Sequence, residues 1–143
     1  TAVRGMFVTF VGGTLDPESN ELSLVNLGHL PPFIVSEKKI LKLEAQGPPL
    51  GVLPGIRYPV NQFTLKNSRL FLYTDGFTEA RLKTGSSKEV GKELGIKGFL
   101  GWLLLSKKLP LKEQVSFIKE RCTTLLAPRA DDQTLMILSG EGD

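Results

Sequence analysis

Two dipeptides that contain aspartate stand beside apolar stretches, and they are the residues of this chain best suited to chemistry. Asp75-Gly76 follows the apolar run Leu70–Tyr73 after one threonine, and Asp131-Asp132 precedes the apolar run Leu135–Leu138. Carboxylates that converge at one edge of a sheet repel each other unless a cation neutralises them, and oxygen-only ligands suit Mg²⁺ or Mn²⁺. The pattern is compatible with a metal site if the two runs are neighbouring antiparallel strands.

Each pair also has an ordinary structural explanation. Asp-Gly is a common turn dipeptide, and two aspartates before a strand usually form an exposed turn. Gly76 fits both interpretations, because a glycine lets the backbone approach an ion closely and also tolerates turn conformations. Spacing alone leaves a turn and a metal site both open.

The other reactive side chains are expected to be structural. His29 is the only histidine, and we expect it to be bonded to backbone in its loop, although a catalytic acid is an alternative. Cys122 lies on the apolar face of a predicted helix and is expected to be a core residue. Arg81 is expected on the surface, with contact to a substrate phosphate as the alternative, because guanidinium matches phosphate geometry.

Length and composition predict one globular domain, or a large piece of one. The chain has 143 residues, 41% of them hydrophobic, and no apolar run approaches the length of a membrane span. A net charge of +3 with scattered basic residues gives no argument for nucleic acid. The single cysteine excludes an internal disulfide and makes a reducing, cytoplasmic compartment the default.

The first part of the chain has the pattern of antiparallel strands. A hairpin is predicted from a β-rich segment at 6–16 and an alternating strand at 21–27, joined by a five-residue loop at 16–20. Gly12-Gly13 predicts a bulge or a close backbone approach. Further strands are predicted at 33–36, 40–43, 58–65 and 70–74, and the Pro- and Gly-rich segment 46–55 is predicted to be a loop packed along the sheet.

The second part predicts helices and one returning strand. Apolar residues recur with helical spacing from Leu111 to Leu126, and a helix interrupted by glycines is expected at about 95–105. The polar segment 83–93 is expected to be a mobile surface loop. Strands, then helices, then a final strand at 133–138 predict an α+β layered domain rather than alternating βαβ units.

Four segments in order resemble a known family: MFVTFVGGTLDPESNELSLVNLGHLPP, LGVLP, LFLYTDGFTEAR and DDQTLMIL. They look like the C-terminal part of the bacterial stage II sporulation protein E-like serine/threonine phosphatases, which are related to the metal-dependent type 2C class. The resemblance extends from Gly5 to Leu138. It implies an antiparallel β-sandwich flanked by helices, with residues 1–143 as the C-terminal portion of one domain truncated at its N-terminus.

The resemblance also implies a site and a reaction. Asp75 and Asp131 match family aspartates that bind a pair of Mn²⁺ or Mg²⁺ ions, and Gly76 and Asp132 are expected next to these ligands. The implied reaction is hydrolysis of phosphoserine or phosphothreonine by water activated at the two metals. The implied substrate is a phosphorylated regulatory protein, such as an anti-sigma antagonist.

One departure from the family pattern limits that expectation. The family supplies further ligands from an acidic strand and an Asp-x-x-Gly-x-Gly motif, and neither occurs in this sequence. We therefore expect the chain alone to be inactive or nearly so. The alternative is a non-catalytic signalling module for partner binding, and exposed sheet edges would favour a homodimer.

Overall fold

The computed structural model describes residues 5–86, 89–128 and 131–140. The chain divides into two compact units, Thr1–Leu72 with Ile137–Asp143 and Tyr73–Met136. Most strand residues belong to the first unit, and the helices belong to the second.

The first sheet has the order β1-β2-β5, formed by Phe10–Asp16, Glu21–Leu27 and Asn61–Thr64. β1 and β2 form the predicted hairpin, although Asp16 pairs with Glu21 and shortens the expected loop by one residue. Asn20 has a φ of 57°, the left-handed conformation that asparagine tolerates. The backbone N–H of Glu18 donates to Asp16 Oδ1 at 2.9 Å, and this bond is the main cause of a lowered pKa of the Asp16 carboxyl.

Glycines 12 and 13 of β1 allow a close backbone approach rather than a bulge. The pairing is unbroken through this point, with Gly12 opposite Val25 and Gly13 opposite Leu24. A Cβ on Gly13 would overlap the carbonyl oxygen of Ser23. Of the two predicted alternatives, the close approach is confirmed.

The second sheet has the order β4-β3-β6-β7, formed by Ile40–Lys42, Phe33–Ser36, Ser68–Tyr73 and Leu135–Ser139. β3 and β4 form the second predicted hairpin. Thr74 N donates to Thr134 O at 3.1 Å, and Gly140 N donates to Ser68 O at 2.9 Å. The residue numbers fall from 74 to 68 along β6 while those of the partners rise from 134 to 140. The strands β6 and β7 are therefore neighbouring and antiparallel, as the metal hypothesis required.

The two sheets enclose an apolar cluster in the first unit. Its buried members come from strands of both sheets and from the segments beside them: Leu22, Leu24, Ile34, Leu43, Leu65 and Leu70. Burying one such side chain contributes about 1.5–3 kcal/mol. The α+β antiparallel sandwich predicted from the sequence is confirmed.

Two predicted strands are shorter than expected. The strand expected at 58–65 is β5, which begins only at Asn61, because Pro59 has no N–H to offer a sheet ladder. Residues 6–9 precede β1, and there Val8 and Leu50 exchange two hydrogen bonds of 3.0 and 2.8 Å. The segment 46–55 is a loop that packs along the first sheet as predicted, since Gln46 N donates to Asn26 O of β2 at 2.9 Å and Gly47 pairs with Leu27.

The helices of the second unit are α1 (Asp75–Thr78), α2 (Gly95–Ser106) and α3 (Leu111–Leu125). α2 forms despite its glycines because its apolar face is buried. Phe99 has no exposed surface, and its ring centroid lies 4.6 Å from Phe77 and 4.9 Å from Tyr73. This packing outweighs the cost of about 1 kcal/mol for each helical glycine.

The buried face of α3 differs from the predicted one. Ile118 is buried as expected, but Leu111 and Val115 are 38% and 39% exposed, and Cys122 is only partly buried. Gln114 is fully buried instead, and its Nε2 donates to Ser106 Oγ at 3.1 Å and to Leu103 O at 3.4 Å. The helix therefore turns Gln114 towards α2, because a buried amide is stabilised only where it finds hydrogen-bond partners. The expectation that Cys122 is a core residue is wrong.

Candidate functional site

Asp75 lies at the first position of α1, directly after β6. Its carbonyl oxygen accepts bonds from Glu79 N at 2.8 Å and from Thr78 Oγ1 at 3.2 Å, which closes a single helical turn. Its own side chain is exposed. Asp75-Gly76 is thus a short helix start rather than a β-turn, and this placement leaves the carboxylate available.

The segment around Asp75 is joined to the segment around Asp132 by three hydrogen bonds. Besides the bond from Thr74 N to Thr134 O, Thr134 N donates to Thr74 Oγ1 at 3.0 Å, and Gln133 Nε2 donates to Gly76 O at 2.7 Å. These bonds hold the end of β6 beside the start of β7. The condition that the metal hypothesis set, that the two acidic segments meet, is therefore fulfilled.

Gly76 permits this contact. A Cβ at Gly76 would overlap the carbonyl oxygen of Asp132, so the residue must be glycine for the two backbones to lie this close. We had expected Gly76 to allow a close approach to an ion. The structure shows a close approach to the neighbouring acidic segment, and the approach to an ion stays a prediction.

Asp131 and Asp132 are both exposed at the start of this second segment. The backbone N–H of Asp132 donates to Asp131 Oδ1 at 2.8 Å, which orients the Asp131 carboxylate. Asp131 lines two cavities, one of about 650 Å³ shared with Asp132, Gln133 and Thr134, and one of about 560 Å³ shared with Gly76. An exposed, oriented carboxylate in a cavity is suited to binding a cation.

The aspartates are the right type of ligand for a hard divalent cation, but they are too few to surround one. Aspartate oxygens are the ligands that Mg²⁺ and Mn²⁺ prefer. Within the described residues, however, no group of three or more acidic, histidine or cysteine side chains is placed to hold one ion. Asp75 and Asp131 supply two of the oxygen ligands that such an ion needs.

A small β-ribbon borders the Asp131 cavity and was not predicted. Leu82 N donates to Lys92 O at 2.9 Å, Lys83 N donates to Leu125 O at 2.8 Å, and Ala127 N donates to Arg81 O at 2.8 Å. The segment 83–93, expected to be a surface loop, thus begins and ends in paired backbone. Its described tip contains a bond from Thr84 Oγ1 to Glu89 O at 3.2 Å.

Sequence reasoning missed the roles of Gln133, Thr74 and Thr134, which join the acidic segments. It also placed little weight on Glu79 and Arg81, which line the same cavity as Asp131. The available signal was the DDQT pattern, because a polar side chain between two acids and a strand is suited to bonding a neighbouring backbone. Nothing in the sequence showed which carbonyl Gln133 would reach.

His29 has the structural role expected for it. Its backbone N–H donates to Asn26 Oδ1 at 2.9 Å, and its Nδ1 lies 3.0 Å from Leu30 O. Asn26 is fully buried and in turn donates to Leu43 O at 3.1 Å. These bonds stabilise the loop after β2.

Comparison with known families decides the relationship. The family model of stage II sporulation protein E matches residues 1–140. The chain belongs to the stage II sporulation protein E family. The recognition made from the sequence is confirmed.

One curated relative matches part of the chain. It is Protein IcfG of Synechocystis sp. (strain ATCC 27184 / PCC 6803 / Kazusa), which is 33% identical over 81 residues. The match covers 55% of this chain and 13% of IcfG. This family member therefore corresponds to a small part of that relative.

Two solved structures show the fold. The SiaA-PP2C domain of Pseudomonas aeruginosa superposes with a TM-score of 0.69 at 18% identity, covering 92% of this chain and 51% of that one. The RsbU and RsbW domains of Rv1364c from Mycobacterium tuberculosis give a TM-score of 0.65 at 23% identity. That match covers 90% of this chain and 35% of the other one. The chain has the PP2C phosphatase fold and spans about half the length of the SiaA domain.

The helices offer no candidate for a membrane span. In the described parts of the chain, none of them combines the length and the apolar character that crossing a bilayer demands.

Proposed function

We propose that this chain forms part of a metal-dependent serine/threonine phosphatase, in which Asp75 and Asp131 bind Mn²⁺ or Mg²⁺. The observation that carries the proposal is the hydrogen-bonded contact between their two segments, at Gly76 and Gln133. Membership of the stage II sporulation protein E family and the PP2C fold support it. The proposed reaction is hydrolysis of phosphoserine or phosphothreonine on a regulatory protein.

In this proposal, residues of the chain bind the metal ions and hold the ligand segments in position. Asp131 Oδ1 accepts the Asp132 N–H, which orients a carboxylate that is exposed to solvent. Gln133, by bonding the carbonyl of Gly76, fixes the separation of the segments that carry Asp75 and Asp131. Dications, when bound, polarise phosphoryl oxygens and lower the pKa of water.

We propose that the chain needs ligands beyond Asp75 and Asp131 for hydrolysis. Mg²⁺ demands close to six ligands, and it keeps several waters when only one or two carboxylates bind it. Two separate ions held by two carboxylates would be weakly bound. The chain alone is therefore expected to hydrolyse phosphopeptides slowly or not at all.

A regulatory phosphoprotein is the substrate class that the comparisons favour. One similar structure contains RsbU and RsbW domains, and another is described as the bacterial stressosome, a modular system adapted to control secondary messenger signalling. We propose that this chain acts in a comparable signalling setting in the cytoplasm. A phosphorylated protein of an anti-sigma pathway is the expected partner.

A non-catalytic signalling module is the second candidate. The observation that favours it is that no group of three ligands is found among the described residues. Such a module would keep the fold for partner binding or for a homodimer, with the acidic segments as a structural contact.

The deciding assay is Mn²⁺-dependent hydrolysis of a phosphoserine peptide by the intact gene product that carries this chain. Asp75→Asn and Asp131→Asn should each lower kcat/KM by roughly 100-fold or more, since even indirect partners of metal ligands cost 10–100-fold. The control is Asp16→Asn, in the turn of the first hairpin. Activity that survives both ligand substitutions would overturn the proposed site, and an intact gene product without activity would favour the non-catalytic module.

A further inference from the structure

We propose that Arg81 binds the phosphoryl group of the substrate. The proposal deepens the proposed function, on which it rests, by assigning the cationic contact for a phosphoserine or phosphothreonine dianion. Arg81 lines the cavity of about 560 Å³ that Asp131 and Gly76 also line. A substrate that reaches Asp131 through this cavity therefore meets the Arg81 side chain.

The charge of this cavity calls for a cation. Its described lining contains two carboxylates, Glu79 and Asp131, and Arg81 is the one cationic side chain within that lining. A phosphate monoester carries close to two negative charges at neutral pH. Without Arg81, the described lining would repel such a group, whereas a guanidinium offers it paired N–H donors.

The position of Arg81 is fixed from both sides by the β-ribbon. Its carbonyl oxygen accepts a bond from Ala127 N, and its neighbour Leu82 pairs with Lys92. Gly91 is required in this ribbon, because a Cβ there would overlap the carbonyl oxygen of Leu82. The backbone of Arg81 is therefore held at the cavity wall by two segments that follow it in the chain, 91–93 and 125–127.

The guanidinium is oriented but not saturated. Nη1 donates to Gly91 O at 3.0 Å, and Nη2 lies 3.6 Å from Glu93 Oε1, too far for a strong hydrogen bond. Arginine has five N–H donors, and the bond to Gly91 is the one hydrogen bond that this side chain makes within the described part of the chain. The side chain is 49% exposed, so the remaining donors are accessible.

A binding experiment tests the inference without metal. In the 143-residue chain with EDTA, the Nε–H resonance of Arg81 and the amide of Gly91 should shift in a saturable way on adding a phosphoserine peptide. The unphosphorylated peptide should leave both unchanged. Arg81→Lys keeps the charge but loses the planar fork, so it should weaken binding markedly. Arg57→Lys, at an exposed arginine outside this cavity, is the matched control and should bind normally.

Kinetics of the intact gene product separate binding from positioning. Arg81→Ala should raise the KM for the phosphoserine peptide about 10-fold or more, since a hydrogen bond to a charged group is typically worth that factor. Glu93→Gln removes the ion pair and keeps the guanidinium, so its KM should stay within about twofold of the original. An equal rise in KM for both variants would mean that Arg81 acts only by holding the ribbon, and would overturn phosphoryl contact.

The two proposals fail in different ways. Hydrolysis that depends on Asp75 but keeps its KM in Arg81→Ala would overturn this inference alone. Arg81-dependent binding of the phosphopeptide by a protein that hydrolyses nothing would support this inference and count against the proposed activity. A metal-free chain that does not distinguish the phosphorylated from the unphosphorylated peptide would overturn the inference directly.

Discussion

Gly76 is the residue at which the two acidic segments touch. Its missing side chain gives room to the carbonyl of Asp132, and its own carbonyl accepts the Gln133 amide. The glycine is thus part of a backbone contact that holds the segment of Asp75 beside the segment of Asp131. A single methyl group at this position would push the segments apart.

Gly76→Ala should destabilise the chain by about 1–3 kcal/mol, the usual cost of overfilling a packed site. The added Cβ overlaps a backbone atom, which cannot move aside as a side chain can. Gly101→Ala is the control, because a Cβ at this position in α2 meets no atom within 4 Å. That control should be neutral or more stable by up to about 1 kcal/mol, since alanine is the better helix former.

Urea denaturation of both variants measures the difference. Equal midpoints for Gly76→Ala and the unsubstituted chain would show that Asp132 moves at no cost. The contact between the acidic segments would then be too loose to position a site.

At the scale of elements, α2 and α3 are joined by a buried polar contact. Ser106 at the end of α2 is fully buried, donates to Trp102 O at 2.8 Å and accepts from Gln114 Nε2 of α3. Both side chains are removed from water, so the hydrogen bond between them helps to satisfy two buried polar groups. This contact determines which face of α3 is buried.

Ser106→Ala should lower the free energy of unfolding by about 1–3 kcal/mol, because it removes a hydrogen-bond acceptor of the buried Gln114 amide. Ser116→Ala is the matched control, since Ser116 Oγ also bonds a helical carbonyl, that of Lys112 at 3.1 Å, but is exposed. The control should be neutral or slightly stabilising. Urea denaturation that shows similar losses for both serines would contradict the importance of the buried contact.

The same elements show what the sequence could predict. Both hairpins, α2, α3 and the strands β6 and β7 follow from apolar periodicity and turn residues, whereas the antiparallel pairing of β6 with β7 was only a condition of the metal hypothesis. The rotation of α3 could not be predicted in this way. Apolar spacing indicated that Leu111 and Val115 would be buried, whereas the buried residue is Gln114, which bonds Ser106 of α2. The pairing of Arg81–Lys83 was missed as well, since its partners at 125–127 are distant in sequence and its partners at 91–93 have no strand pattern.

The site itself was predictable in part. The positions of Asp75 and Asp131 at the ends of apolar strands indicated that their segments would meet if the two strands were neighbouring and antiparallel. That Asp75 and Asp131 bind metal, with Gly76 and Asp132 next to them, stays a prediction supported by this contact. Gln133 could not be assigned, because its partner is a backbone carbonyl and carbonyls carry no sequence signal.

At the scale of the whole molecule, the central question is how many ligands the chain supplies. The chain spans about half of the SiaA-PP2C domain, and its described residues place two facing acidic segments but no complete ligand set. We therefore propose weak, localised binding of dications by this chain alone. Such binding is too weak to support much hydrolysis but strong enough to be located.

Paramagnetic broadening by Mn²⁺ in the NMR spectrum of the 143-residue chain is the most direct test of the central claim. Mn²⁺ broadens amides near its binding site even when binding is weak. The amides of Gly76 and Asp132 should broaden at the lowest Mn²⁺ concentration, and Asp75→Asn or Asp131→Asn should each reduce the effect. Broadening that centres on other carboxylates, or that neither substitution changes, would contradict a metal site at Asp75 and Asp131.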